Sequence, residues 1–186
     1  MRTRYPSVVL ALLMLGLPAV FAQTGASPST AAPVGTTLAG ILECGEGYTS
    51  HELYDVKITI REVVRGDAAW KQIQEADRSN KPPAGGTDYL LARVRFEYYA
   101  RGNPGTCVHH LVPEQFTAYS SAGEDYRSPS VAPPKPEMRK SLKSGEFIEG
   151  WLVFAVPTED RTPLLSFSAD AGGSVRHGEP KWFMLR

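Results

Sequence analysis

The residues of this sequence best suited to chemistry are its histidines, two of which, His109 and His110, follow closely after Cys107. A shared metal ion would need both imidazoles to converge, but adjacent residues of an extended chain point to opposite faces. His51 and His177 could join them only through the tertiary fold. We therefore predict no metal and no other cofactor, and interpret the histidines as surface or loop residues near a disulfide. A metal or small-ligand site that uses His109 and His110 is the alternative.

The chain has two cysteines, Cys44 and Cys107. An exported chain meets an oxidising compartment, which favours a disulfide between them. Two free thiols are the alternative. A zinc site is a weaker interpretation, because the two residues lack the paired spacing of structural zinc sites.

The acidic residues do not form an obvious catalytic pair. Glu124-Asp125 and Glu159-Asp160 are adjacent pairs beside turns, which is typical of solvated loop charges. None of the G-x-S-x-G, H-E-x-x-H, P-loop or C-x-x-C motifs occurs in the sequence. We therefore predict that the protein is not an enzyme. A hydrolase with two titratable groups in a polar cleft is the enzymatic alternative.

The tripeptide Arg65-Gly66-Asp67 matches a motif that some adhesion receptors recognise. It lies where a strand must end and a helix must begin. Gly66 ends the strand, and the Asp67 carboxylate is predicted to cap the first turn of the helix and to interact with its dipole. Helix capping explains Gly66 and Asp67 without adhesion.

The predicted helix covers roughly Ala68–Arg78, and Trp70 and Ile73 lie on its apolar stripe. A helix this short is marginal in water. We therefore expect Trp70 and Ile73 to dock on the sheet as structural residues.

Aromatic residues are plentiful, and most belong in a core. Tyr89, Tyr99 and Tyr119 are predicted to point outward, and with His109 and His110 they are the candidate interaction residues. Cross-strand pairing within the sheet explains the tyrosines equally well.

The first 22 residues have the pattern of an export signal. Arg2 and Arg4 precede the apolar run Val8–Phe21. A small-residue cleavage site ends at Ala22, which makes Gln23 the expected first residue of the mature protein. The run is shorter than the roughly 20 residues that a bilayer span needs. We therefore expect no membrane-spanning segment after cleavage, with a retained anchor as the alternative.

Residues 23–37 are rich in Ser, Thr, Ala, Pro and Gly, and are predicted to be a flexible linker. Residues 38–186 are predicted to form one domain. The whole chain has 20 basic and 20 acidic residues. It therefore lacks the basic excess that nucleic acids or anionic membranes attract.

Alternating apolar and polar residues predict strands over residues 55–63 and 89–99, each with one face toward a core. Residues 147–156 are apolar on both faces and are predicted to form a central strand. Short strands over residues 164–169 and 181–185 complete the set. The predicted class is mainly β, an immunoglobulin-like antiparallel β-sandwich with one short helix inserted after an early strand.

The segments VVRGD (63–67), AWKQIQEA (69–76), GTDYLLA (86–92) and EGWLVF (149–154) occur in an order that resembles a known family. These are the telokin-like, immunoglobulin-fold extracellular domains of bacterial exported proteins, related in fold to a mycobacterial immunoprotective antigen. The resemblance covers roughly residues 53–186. It implies a β-sandwich, no settled activity and no catalytic residues.

The function predicted from the sequence is that of an exported, non-enzymatic binding domain of the bacterial cell envelope, either periplasmic or extracellular. Its partner is expected to be an envelope protein or glycan. The long loop Val131–Ser144 is a candidate contact region, because rigid sandwiches often carry recognition in their loops.

Overall fold

The computed structural model describes residues 23–44, 52–102, 105–126, 128–170 and 178–186. The single α-helix found in these residues is α1 (Asp67–Ala76). The strands are β1 (Thr37–Cys44), β2 (Glu52–Arg65), β3 (Thr87–Ala100), β4 (His109–Leu111), β5 (Phe116–Tyr119), β6 (Lys140–Leu142), β7 (Glu146–Pro157), β8 (Leu164–Phe167) and β9 (Lys181–Met184). Short 3₁₀ helices occupy Pro28–Thr30 and Pro113–Gln115.

The strands form antiparallel sheets that enclose one main core. The largest sheet has the order β1-β2-β3-β7, a second has the order β5-β8-β9, and β4 pairs with β6. Aromatic rings join the layers: Phe96 of β3 lies 5.3 Å from Phe167 of β8, which lies 5.1 Å from Phe116 of β5, between ring centroids. The prediction of a mainly β, antiparallel sandwich with one inserted helix is confirmed.

The alternation read from the sequence fixes which side chains enter this core. On β2, Val56, Ile58 and Ile60 are buried, and on β3 every second side chain from Leu90 to Tyr98 is fully buried. Their neighbours point to the outer face of the four-stranded sheet. A register shift lies between Ile60 and Glu62 on β2, where one extra residue bulges out of the ladder.

The prediction that residues 147–156 form a central strand is wrong. They belong to β7, which is an edge strand of the four-stranded sheet and pairs there with β3. Its side chains are apolar on both faces because the inner ones meet the core, while Val153 and Ala155 on the outer face pack against the helix cluster. The outer side chains of β7 are therefore covered by the helix cluster and not by a neighbouring strand.

The segment predicted to be a flexible linker, residues 23–37, is docked on the domain. Ala32 is fully buried, its N–H donates to the Trp182 carbonyl at 2.9 Å, and its carbonyl accepts from the Met184 N–H at 2.8 Å. The Gly25 carbonyl accepts a further hydrogen bond from the Trp182 N–H at 2.9 Å. The linker prediction is corrected here: small side chains let the segment lie against β9 and occupy its edge.

The loop Val131–Ser144 is also more structured than predicted. It contains β6, and Met138 is fully buried in the main core. Its middle pairs in parallel with β7, where the Trp151 N–H donates to the Pro136 carbonyl at 2.8 Å. Gly150 makes this approach possible, because a Cβ there would lie 2.9 Å from the Pro136 oxygen.

Cys44 and Cys107 form a disulfide, with their Cα atoms 6.5 Å apart, which confirms the predicted pairing. The bridge ties the end of β1 to the segment that precedes β4. Across the described residues, no helix has the length and apolar character needed to cross a membrane.

Candidate functional site

Helix α1 divides the outer face of the four-stranded sheet into two parts. Ile73 and Ala69 of the helix are fully buried against Tyr89 and Leu91 of β3. The remaining outer face is not covered by the helix, and we call it the open face. It is formed by Ile41 of β1, by Leu53, Asp55 and Lys57 of β2, by Arg93, Arg95, Glu97 and Tyr99 of β3, and by Phe147 and Glu149 of β7.

The helix starts differently from the prediction. Asp67 is its first residue, and Gly66, with φ of 67°, occupies the capping position. No side chain caps this end. The capping role predicted for Asp67 is therefore wrong, although its carboxylate still lies in the first turn, where the helix dipole favours a negative charge. The backbone reversal after β2 requires the positive φ, which glycine adopts without steric cost.

Exposed apolar side chains are concentrated on the open face. Three large hydrophobic residues of the described chain are exposed: Phe147 at 48%, Ile41 at 44% and Leu53 at 41%. All three lie on this one surface. Ile41 and Leu53 also line a groove of about 640 Å³ beside β1. Ile41 and Leu53 are neighbours on β1 and β2, whereas Phe147 lies on β7, across the charged side chains of Lys57 and Glu97.

Arg95 is the central cation of the open face. Its Nε donates to Glu97 Oε1 at 2.9 Å, and its guanidinium carbon lies 4.1 Å from the centroid of the Phe147 ring. The bond to Arg95 holds the pKa of Glu97 below its ordinary value and raises the pKa of Arg95. The ion pair holds the guanidinium plane against the ring.

Further contacts extend this order on both sides. Arg93 Nη2 lies 2.7 Å from Glu149 Oε1, and its guanidinium lies 5.9 Å from the Trp151 ring. The Tyr99 hydroxyl donates to Glu97 Oε2 at 2.8 Å, which raises the pKa of Tyr99. Arginine and aromatic residues dominate binding hot spots, and here they are held in place by their neighbours.

The three tyrosines predicted as interaction residues lie in three different environments. Tyr99 is on the open face. Tyr89 points to the same side of the sheet but is covered by the helix, is only 5% exposed, and packs 6.0 Å from Trp70. Its prediction as an exposed residue is wrong, because alternation does not show where a helix will dock. Tyr119 lies on the opposite sheet, 5.2 Å from the Trp182 ring.

The two candidate histidines do not converge. His109 is fully buried, with its ring 5.4 Å from Phe96 and 5.5 Å from Tyr98. His110 is exposed on the other face of β4, and its Nδ1 lies 2.8 Å from Ser141 Oγ. The expectation that both are surface or loop residues is therefore wrong for His109. The pair offers no common metal site.

His51 and His177 lie outside the described residues. Within the part of the chain that the structure describes, no group of three or more His, Cys, Asp or Glu side chains is arranged to hold a metal ion.

The arginine of the Arg65-Gly66-Asp67 tripeptide is engaged within the domain. Its Nε donates to Asp88 Oδ2 at 3.0 Å, its Nη2 donates to the Pro157 carbonyl at 2.6 Å, and its Nη1 donates to the Asp160 carbonyl. The guanidinium therefore joins β2 to the turn after β7. This structural role accounts for Arg65, which the sequence alone did not explain.

Sequence reasoning missed Phe147, Arg93 and Arg95 as site residues. Alternation had already placed the two arginines on the outer side of β3, but Phe147 appeared to belong to a buried strand. The missing information was strand register, which sets Phe147 opposite Glu97 and Glu149 opposite Arg95.

Comparison with known proteins gives only distant similarities. MPT63, a secreted protein from Mycobacterium tuberculosis, superimposes with a TM-score of 0.46 at 14% identity, over 83% of this chain and 95% of that one. The YjhA protein from Bacillus subtilis gives a TM-score of 0.45 at 14% identity, over 74% of this chain and 81% of that one. YcdA, also from Bacillus subtilis, gives a TM-score of 0.49 at 14% identity over 69% of this chain. This chain spans only 35% of the length of YcdA. Similarities of this size assign no function.

No family model matches the chain, so the resemblance to the telokin-like domains stays a prediction. The comparison with curated proteins gives no match either.

Proposed function

We propose that the protein is an exported, non-enzymatic binding domain of the bacterial cell envelope, periplasmic or extracellular, and that its open face contacts an envelope protein or glycan. The observation that carries this proposal is that the exposed large hydrophobic residues of the described chain, Ile41, Leu53 and Phe147, all lie on one face of the four-stranded sheet. On this face the apolar side chains stand beside arginine and tyrosine side chains, the residue types that dominate binding hot spots.

Two further features support the proposal. The predicted export signal and the Cys44–Cys107 disulfide both fit an oxidising compartment outside the cytoplasm. The ordered arginines of the open face reduce the side-chain entropy that binding would otherwise cost.

Co-sedimentation with purified cell envelopes tests this function. We expect the protein to sediment in a saturable way, and the double variant Ile41→Thr/Phe147→Thr to bind about tenfold more weakly or worse, because both apolar anchors are lost. Threonine keeps the preference for strand at both positions. The matched control, Tyr119→Thr, removes an aromatic side chain from the opposite sheet and should bind like the wild type.

Treatment of the envelopes identifies the kind of partner. Binding that is lost after protease digestion of the envelopes indicates a protein, and binding that survives indicates a glycan. A wild-type protein that does not sediment contradicts the binding function. Equal binding of the double variant and the wild type contradicts the open face as the contact surface.

A further inference from the structure

The edge of β9 is covered by the chain's own N-terminal segment, residues 25–32, which we call the strap. The Trp182 N–H donates to the Gly25 carbonyl at 2.9 Å. The Ala32 N–H donates to the Trp182 carbonyl at 2.9 Å, and the Ala32 carbonyl accepts from the Met184 N–H at 2.8 Å. The strap therefore continues the sheet β5-β8-β9 beyond its last strand.

Little apolar surface holds the strap in place. Its buried side chains are those of Ala31 and Ala32, and Gly25 lies against Leu38 with no side chain of its own. Because the stabilisation from burial scales with the apolar area removed from water, glycine and alanine contribute little. A segment with few buried apolar atoms opens at a lower free energy than the core. The strap should therefore open before the rest of the domain.

The backbone groups beneath the strap all point the same way. The N–H and C=O of Trp182 and the N–H of Met184 are bonded to the strap and so point away from β8, the other neighbour of β9. Successive residues of a strand alternate in direction, so the Met184 C=O also points away from β8. Once the strap is released, these groups form a template for one more strand.

The β9 edge is complementary to itself in the antiparallel direction. In a pair centred on Phe183, Trp182 of one copy lies opposite Met184 of the other, and the two residues exchange both N–H···O bonds. Their side chains share the partly exposed face of the sheet, where a thioether beside an indole ring is a favourable cross-strand contact. Lys181 comes opposite Leu185, so the lysines of the two copies do not face each other. The strand that fits this edge is therefore β9 of a second copy.

We propose that the strap is an autoinhibitory contact, which prevents β9 from pairing with β9 of a second copy of this chain. Release of the strap leads to an antiparallel dimer through the two β9 edges. This inference goes beyond the proposed function and is independent of it, because β9 belongs to the opposite sheet and none of these contacts uses the open face.

Two substitutions in the full chain release the strap. Ala32 is fully buried, so Ala32→Glu would place a charge where there is no room for it. Gly25→Val acts at the other end, because a Cβ there would collide with the Leu38 side chain. Ala26→Glu is the matched control, since it makes the same change as Ala32→Glu at an exposed position of the strap.

Amide hydrogen exchange and sedimentation velocity, each at micromolar and millimolar protein, test the inference. At the low concentration, the Trp182 and Met184 amides of Ala32→Glu should exchange about tenfold faster than in the wild type or more, because their bonds to the strap are lost. At the high concentration, Ala32→Glu should sediment as a dimer and both amides should regain protection. The wild type and Ala26→Glu should stay monomeric, with slow exchange of both amides.

Four results would overturn the inference. Slow exchange of both amides in Ala32→Glu and Gly25→Val would show that the strap is not displaced. Fast exchange without a dimer at the high concentration would show that the edge does not pair with a second copy. A dimer whose Trp182 and Met184 amides stay fast would place the contact on another surface. Loss of protection at the β3 amides in both variants would show that the domain does not survive release of the strap.

Discussion

At the scale of single residues, the pair formed by Arg95 and Glu97 shows how the open face is ordered. The bond between them places the guanidinium on the Phe147 ring and removes flexibility from three side chains at once. Glu97 is well shielded, with 17% of its side chain exposed, so this pair is less screened than an ordinary surface ion pair.

The lowered pKa of Glu97 predicts a pH-dependent contribution to stability. Because its pKa is lower in the folded state than in the unfolded chain, the folded protein binds fewer protons, and the stabilisation is lost as pH falls through the folded-state pKa. Glu97→Gln should therefore lower the free energy of unfolding by about 1 kcal/mol at pH 7 and by less at pH 3. Urea unfolding at the two pH values measures the difference.

The control for this measurement is Glu75→Gln, which changes an exposed carboxylate on α1. Its effect should be small at both pH values. An equal cost of Glu97→Gln at pH 7 and pH 3 would show that the ionised carboxylate contributes nothing.

At the scale of elements, helix α1 depends on its docking. Ile73 is fully buried, whereas Trp70 is only partly buried. We expect Ile73→Ala to cost about 3 kcal/mol and Trp70→Ala about 2 kcal/mol, through lost packing and the cavities left behind. Chemical denaturation followed by circular dichroism provides the measurement. Gln74→Ala, on the exposed side, should change stability by less than about 0.5 kcal/mol. A cost below about 1 kcal/mol for Ile73→Ala would mean that α1 is not held by this contact.

The close approach of the loop to β7 gives a second prediction at this scale. A side chain at position 150 would meet the backbone oxygens of Pro136 and Glu137. Gly150→Val should therefore displace the loop and lower the free energy of unfolding by about 1–3 kcal/mol. Gly85→Val is the matched control, because a Cβ at Gly85 meets nothing within 4 Å. Thermal unfolding compares them, and equal stability of the two variants would contradict the contact.

The elements also show what the sequence could and could not predict. Alternation identified the inward side chains of β2 and β3, because a strand with one wet face has a simple pattern of period two. It failed at β7, since Val153 and Ala155 are partly buried in the cluster formed with a helix far away in sequence. It failed again at Ala32, which is held by backbone hydrogen bonds that composition does not reveal. Register, which brings Phe147 to the open face, depends on tertiary pairing in the same way.

At the scale of the whole molecule, the disulfide connects distant parts of the chain. Cys44 and Cys107 are 63 residues apart in sequence. Closing a loop of this size should stabilise the fold by about 4 kcal/mol, mainly by restricting the unfolded chain. The double variant Cys44→Ala/Cys107→Ala should lose about that amount in urea unfolding, and a reducing agent should not destabilise it further. A wild-type protein that is equally stable with and without reducing agent would contradict this role.

The two faces of the four-stranded sheet differ in what covers them. The inner side of the four-stranded sheet builds the core with β5, β8 and β9, and the helix completes the outer side over one half only. The open face is what remains of the outer side, and the exposed large hydrophobic residues of the described chain are found there. We propose that binding uses this sheet face; the sequence had suggested outward tyrosines of the strands, Tyr99 among them, as well as the loop Val131–Ser144.

Hydroxyl-radical footprinting of the protein on purified envelopes tests this central claim most directly. We predict that labelling of Phe147 and Tyr99 falls on binding, while labelling of Tyr119 and Trp182 on the opposite sheet stays unchanged. Protection of Tyr119 and Trp182 with Phe147 and Tyr99 still fully labelled would contradict the claim that the open face is the binding surface.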